Sequence, residues 1–320
     1  MKVLVAEGNI HDSRERSREI AGFTQGERYS DVLQTISPGL QVDIYDVPDS
    51  ERPPPAPLES YHGVVITGSA LNIYEDRPEV LRQIDFARSV FEIGVPFFGS
   101  CWGLQIANVA AGGAVHINPR GREIGCARRI RLTDAGSAHP MHKGRAACFD
   151  APAVHTDHVT RPAEGMIVTA SNEVSEVQAA EIRHANGVFW GVQYHPEFTI
   201  RDLSDVLVRY AKVLVEEECM FANQARLNEY IEELRQLDAD RTRRDIAWRF
   251  GLDADFLDDR RRNCEIENWL RIQVGAPIAT RADDLADFTN YACGREKRER
   301  PHGPNNGRHF QASTTPGPSH

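Results

Sequence analysis

No stretch of this chain approaches the roughly 20 apolar residues that a membrane-spanning helix needs, so no span is expected. Met1 to Ala6 is a short apolar run with no basic region before it and no small-residue cleavage site after it. It reads as a first strand rather than a signal peptide. Cysteine is sparse: Cys101, Cys126, Cys148, Cys219, Cys264 and Cys293 are scattered, with no Cys-x-x-Cys pair. That excludes a disulfide-dense scaffold and points to reduced thiols in the cytoplasm. Positive charge is in short supply, 37 Lys and Arg against 47 Asp and Glu for a net charge of −10. This balance argues against a non-specific hold on nucleic acid or anionic membrane. With 41% hydrophobic and 26% charged residues and no internal repeat, the 320-residue chain is neither wholly disordered, collagen-like nor a coiled coil.

What is present is an alternation of short apolar runs with amphipathic stretches up to about residue 200. Lys2 to Ala6, Gln41 to Val47, Gly63 to Ser69 (ending in a glycine turn) and Val95 to Gly99 read as strands. Between them, Asp12 to Thr35 reads as a helical stretch. Pro78 to Ile93 reads as a helix whose Val80, Ile84, Ala87 and Phe91 recur at three- and four-residue steps. Arg52 to Pro57, rich in proline, is a stiff connector. Strand, helix, strand, helix in this order implies parallel strands with crossover helices in an open α/β sheet. From 113 to 200 several short strands extend or flank that sheet. After 201 the pattern turns helical, with apolar stripes at Leu203, Val206, Leu207, Tyr210 and at Leu227, Ile231, Leu234; Phe256 to Ile272 reads as a further helix. The expected domains are 1–200, a helical extension over 201–293, and a disordered tail over 294–320.

Two local patterns carry chemistry. Gly99-Ser100-Cys101-Trp102-Gly103-Leu104-Gln105 follows an apolar strand and opens a helix. A sharp turn of this form, with glycines two residues to either side, holds a nucleophile in a strained conformation above a sheet. The helix beside it supplies partial positive charge and free N–H groups, the setting that favours a thiolate. The Trp102 N–H can then face the oxygen of a tetrahedral intermediate. Further on, an apolar strand runs into His195-Pro196-Glu197. His195 suits a general base to Cys101, with Glu197 orienting the imidazole.

Gly-x-Cys-x-Gly-x-Gln some ninety residues before His-Pro-Glu resembles the class I glutamine amidotransferases, over residues 1–200. Within that family the chain is similar to stand-alone proteins akin to the glutaminase part of GMP synthetase. The resemblance implies an open, mostly parallel, flavodoxin-like α/β sheet with helices on both faces, here with a C-terminal helical extension. It implies hydrolysis of the glutamine side-chain amide through a γ-glutamyl thioester on Cys101, with His195 and Glu197 completing the triad and no metal or organic cofactor required. Ile66-Thr67-Gly68-Ser69 resembles the glycine turn that completes the oxyanion hole, so Gly68, Ser69 and Trp102 are implied there. Gln105 resembles the glutamine beside the nucleophile. Glu123, in Gly121 to Gly125, and His155 and Asp157, in Val154 to Val159, resemble segments that help hold the substrate. No P-loop or second α/β pattern follows residue 201, so an ammonia-consuming synthetase would act in trans. A homo-oligomer is left open.

The same triad would also serve a γ-glutamyl amide hydrolase or peptidase, whose leaving group is an amine other than ammonia. A non-catalytic regulatory subunit is a third reading. His139, His142, His155 and His158 invite a metal reading that their spacing does not support. The arginines at 241, 243, 244 and 260 to 262 read as solvated helix faces balanced by neighbouring aspartates. Trp248 and Trp269 read as packing residues.

Overall fold

Residues 1–49 and 53–278 are described by the structure, a computed structural model. The tail expected over 294–320 lies outside the described residues. The strands are β1 (Lys2–Glu7), β2 (Gln41–Asp46), β3 (Gly63–Ile66), β4 (Phe97–Ser100), β5 (Ala114–Ile117), β6 (Glu123–Leu132), β7 (Cys148–His155), β8 (Asp157–Arg161), β9 (Met166–Ser171), β10 (Ala179–His184) and β11 (Gly187–Val192). Nine of them form one sheet in the order β2-β1-β3-β4-β11-β10-β9-β6-β7, and β5 pairs with β8 apart from it. From β2 to β11 neighbouring strands run parallel. From β11 to β7 they run antiparallel. Most of the short strands expected over 113–200 therefore continue the sheet beyond its parallel half.

The helices are α1 (His11–Ala21), α2 (Gln25–Ile36), α3 (Pro78–Ile93), α4 (Trp102–Ala110), α5 (Asp134–Ala138), α6 (Ile200–Arg209), α7 (Gln224–Ala239), α8 (Arg244–Phe250), α9 (Ala254–Leu257), α10 (Asp259–Arg262) and α11 (Cys264–Trp269). Two stretches expected as single helices are broken. Asp12 to Thr35 stops at Gly22, where φ is 89°, and restarts in a capping box between Thr24 and Glu27. Phe256 to Ile272 is interrupted at Asp258, whose carboxylate accepts the Arg260 and Arg261 N–H groups and starts a new turn.

Side chains alternate across the central strands and fill both faces. Leu4, Ala6, Val64, Ile66 and Phe97 pack with residues of α3 and α4. Val3, Val5, Val65, Phe98, Trp190 and Val192 pack with Tyr29 and Leu33 of α2 and with Ile266, Trp269 and Leu270. Each fully buried apolar side chain here is worth roughly 1.5–3 kcal/mol. Residues 266–276 thus return to the sheet and help close its second face. Phe198, Leu203, Leu207, Leu227, Ile231, Leu234 and Phe256 form a separate cluster under α6 to α9. Trp269 is buried as expected of a packing residue, whereas Trp248 is 87% exposed.

No helix among the described residues is long and apolar enough to cross a membrane.

Candidate active site

β4 ends at Ser100, and Cys101 stands between it and α4 with φ 52° and ψ −101°. A residue other than glycine is held there at a cost of roughly 1–3 kcal/mol. The flanking glycines permit the turn by close approach. A Cβ on Gly103 would lie 2.5 Å from the Ile66 carbonyl oxygen, and one on Gly99 would lie 2.8 Å from the Gly103 Cα. The Cys101 N–H donates to the Val192 carbonyl at 2.7 Å, tying the turn to the strand that leads to His195. Trp102 opens α4, where the first backbone donors have no intrahelical acceptor.

β4 and β11 are parallel neighbours, which brings the histidine strand to the same rim as the thiol. The His195 N–H donates to the Pro152 carbonyl at 2.7 Å, and its ring stacks on Phe198 with centroids 4.1 Å apart. Its Nδ1 bonds Glu197 Oε1 at 2.7 Å, while Nε2 is buried without a hydrogen-bond partner. Burial alone would push the imidazole down, but the Glu197 carboxylate and the Cys101 thiol outweigh it and raise His195 to about 10. Ser100 donates to the other Glu197 oxygen at 2.9 Å, and the buried Tyr29 hydroxyl bonds Ser100. Burial, with Glu197 nearby, raises the Tyr29 phenol well above its ordinary value and keeps it protonated.

Cys101 and His195 line one cleft of about 380 Å³, together with Gly68 and Ser69. A Cβ on Gly68 would meet His195 Cε1 at 2.8 Å, so only glycine lets this backbone close on the imidazole. The turn is held from β1: Asn9 donates to the Gly68 carbonyl at 3.1 Å and accepts the Ala70 N–H at 3.1 Å. Glu7 in turn holds Asn9 at 2.9 Å and the Gly26 N–H at 2.6 Å.

The other residues singled out from sequence are not on the cleft wall. Gln105 donates to the Asp157 carbonyl at 3.1 Å and to Gln193 at 3.3 Å. The Asp157 carboxylate meets the Tyr74 hydroxyl at 3.4 Å, and burial raises it above the usual aspartate value. His155 Nε2 bonds Glu123 at 2.8 Å and Nδ1 bonds the Asp157 carbonyl at 3.1 Å. Glu123 also accepts from Gln178 and Asn172, both at 2.7 Å. Gln105, Glu123, His155 and Asp157 are not among the residues lining the cleft, and Glu123 and His155 are taken up by internal bonds. His139 bonds Glu181 at 3.1 Å, and His142 bonds Glu265 at 3.2 Å and Thr169 at 3.0 Å. Among the described residues no three His, Cys, Asp or Glu side chains converge on a metal position.

The family described as glutamine amidotransferase class-I matches residues 30–210, a span that holds the nucleophile turn, the histidine strand and α6. The chain belongs to the class-I glutamine amidotransferase family. It is 39% identical over 221 residues to gamma-glutamyl-L-1-hydroxyisopropylamide hydrolase of a Pseudomonas species, covering 68% of this chain and 74% of that protein. It is 36% identical over 135 residues to the glutamine-hydrolysing GMP synthase of Corynebacterium glutamicum, covering 42% of this chain but only 23% of that one. A solved glutamine amidotransferase from Methylobacillus flagellatus matches with a TM-score of 0.60 at 19% identity, over 88% of this chain and 97% of that one. Another from Thermotoga maritima gives 0.59 at 19% identity, over 86% and 99%. At that identity the likeness shows the fold.

For this amidotransferase, sequence reasoning missed several residues at the site. Ser100 lay inside the nucleophile motif and Phe198 directly after His-Pro-Glu, so proximity could have flagged both. Asn9, Gln25, Tyr29 and Arg209 sit in ordinary helix or loop sequence and carry no local signal.

Proposed function

We propose that Cys101, His195 and Glu197 hydrolyse the γ-amide of γ-glutamyl compounds, glutamine being the simplest. The observation that carries this reading is a histidine held at 2.7 Å by Glu197, with its second nitrogen bare in the cleft that Cys101 lines. The Cys101 sulfur attacks the γ-carbonyl carbon, and the oxyanion faces the Gly68 and Trp102 N–H groups. The C–N bond breaks as His195 Nε2 gives its proton to the departing nitrogen, leaving a γ-glutamyl thioester. Water then attacks, His195 takes its proton, and glutamate and the free thiol are released. Gln105, Asp157, Glu123 and His155 act by bracing the elements around this site through their mutual hydrogen bonds.

A second reading concerns the leaving group. The Pseudomonas relative is named for an N-substituted γ-glutamyl amide and is covered over 74% of its length, against 23% for the GMP synthase. This favours an amine over ammonia as the natural leaving group. The alternative is glutaminase activity that feeds a synthetase in trans, and such a partner would stimulate glutamine turnover. The five described cysteines are free thiols, which fits work in the cytoplasm.

The test compares glutamine with N-alkyl γ-glutamyl amides by amine and glutamate release. Cys101→Ser is expected to cut turnover by more than about a thousandfold. The wild-type thiol is expected to gain the mass of one γ-glutamyl group from a slow substrate. No turnover of either substrate class and no acylation of Cys101 would overturn the reading.

A further inference from the structure

Apart from His195, the catalytic cleft has one ionised side chain on its wall, Arg209 at the end of α6. Its Nη2 donates to the Ser17 hydroxyl at 2.8 Å, and among the described residues no carboxylate pairs with it. The two aspartates earlier on the same helix are engaged elsewhere, Asp202 with Arg28 at 2.8 Å and Asp205 with Arg201 at 3.3 Å and Arg235 at 3.4 Å. Burial lowers Arg209 below the usual arginine value, and Tyr210 and Glu7 do not offset it. A half-buried guanidinium with a single neutral partner keeps most of its five donors for something else. On the same wall, Gln25 Oε1 is buried with no hydrogen-bond partner. A missing anion and a missing donor thus face one cleft. A second, smaller cavity shares Gln25, Phe198, Val206 and Arg209 with it.

We infer that Arg209 and Gln25 form a substrate subsite of this cleft, Arg209 binding a carboxylate and Gln25 accepting from a neighbouring N–H or O–H. The inference rests on the γ-glutamyl amidase reading and deepens it. Two parts of a substrate offer that chemistry: the amino-acid head of the γ-glutamyl group, and a leaving amine that is itself an amino acid.

Steady-state kinetics of the full chain on γ-glutamylglycine and on γ-glutamyl ethylamide separates them. For Arg209→Gln, KM is expected to rise roughly tenfold to a hundredfold, the size of a lost charge-assisted hydrogen bond, with kcat within about twofold. A rise on both substrates assigns the γ-glutamyl head, and a rise on γ-glutamylglycine alone assigns the leaving amine. Arg209→Lys is expected to recover part of the loss. Ser17→Ala removes the only side-chain hydrogen-bond partner of Arg209 among the described residues and keeps its charge, so KM should stay within about twofold. Gln25→Glu sets a carboxylate on the same wall, at a helix start that tolerates it, and should raise KM as Arg209→Gln does. Unchanged KM in both Arg209→Gln and Gln25→Glu, measured on an active parent, overturns the subsite. An inactive parent instead overturns the amidase reading.

Discussion

His195 and His155 are both buried and both held by a glutamate, at 2.7 Å from Glu197 and 2.8 Å from Glu123. Distance and burial do not tell them apart. The second ring nitrogen does: His155 gives it to the Asp157 carbonyl, and His195 leaves it bare beside a thiol. His142 follows the first pattern, with one nitrogen on Glu265 and the other on Thr169. A buried histidine with both nitrogens bonded is a brace between elements. One with a single nitrogen bonded is oriented and still has a proton site to use. Against burial, Glu197 and Cys101 raise the imidazole beside the thiol, and Glu265, also against burial, is lowered to about 2 by Arg145 and His142.

The comparison breaks most sharply on substitution. His195→Ala is expected to lower kcat by about a thousandfold or more, and to cost stability as well because it breaks the buried Glu197 pair. His155→Ala should cost roughly 1–3 kcal/mol of stability with kcat within a few-fold. Equal losses of kcat in the two variants would erase the distinction. Glu197→Gln comes next, with kcat down about a hundredfold and a displaced pH profile. A raised imidazole gives up its proton only as pH climbs toward about 10, so the alkaline limb of kcat/KM should lie there. The stabilisation from that charge pairing is complete below the unfolded value near 6.5 and is lost between there and about 10. Removing the carboxylate should pull the limb to lower pH, and a limb that stays put would show that Glu197 does not set it. The smallest effect is expected for Ser100→Ala, which frees one Glu197 oxygen: roughly tenfold in kcat with KM unchanged, the size of one bond to a charged group. A loss confined to stability would place Ser100 with the braces.

Much of this was legible in the chain. Gly99 to Gly103 and His195-Pro196-Glu197 are local patterns whose geometry follows from glycine close approach and a proline stop, and they led to the residues that meet at the rim. The alternation of apolar runs gave the parallel half of the sheet for the same reason, since strands buried on both faces are apolar throughout. What stayed hidden depends on contacts far apart in sequence. Tyr29 reaches Ser100 across 71 positions, and nothing in an ordinary amphipathic helix marks that hydroxyl. Arg209 looks like any polar residue closing an apolar stripe, and only the fold shows that it lines the cleft with no carboxylate partner among the described residues. The return of residues 266–276 to the sheet was invisible because periodicity reports an apolar face and not what that face meets.

Because β4 and β11 are bonded neighbours, the sulfur and the imidazole are set by the rung spacing of one sheet, and the chain between them is an excursion that leaves and rejoins at the same place. Loops of that detour away from Pro152 and Val154, which touch the site, are the parts free to change length. New substrate preferences on this scaffold should therefore be sought in the residues that line the cleft, Arg209 of α6 and Gln25 of α2 among them, while the two anchoring strands stay as they are.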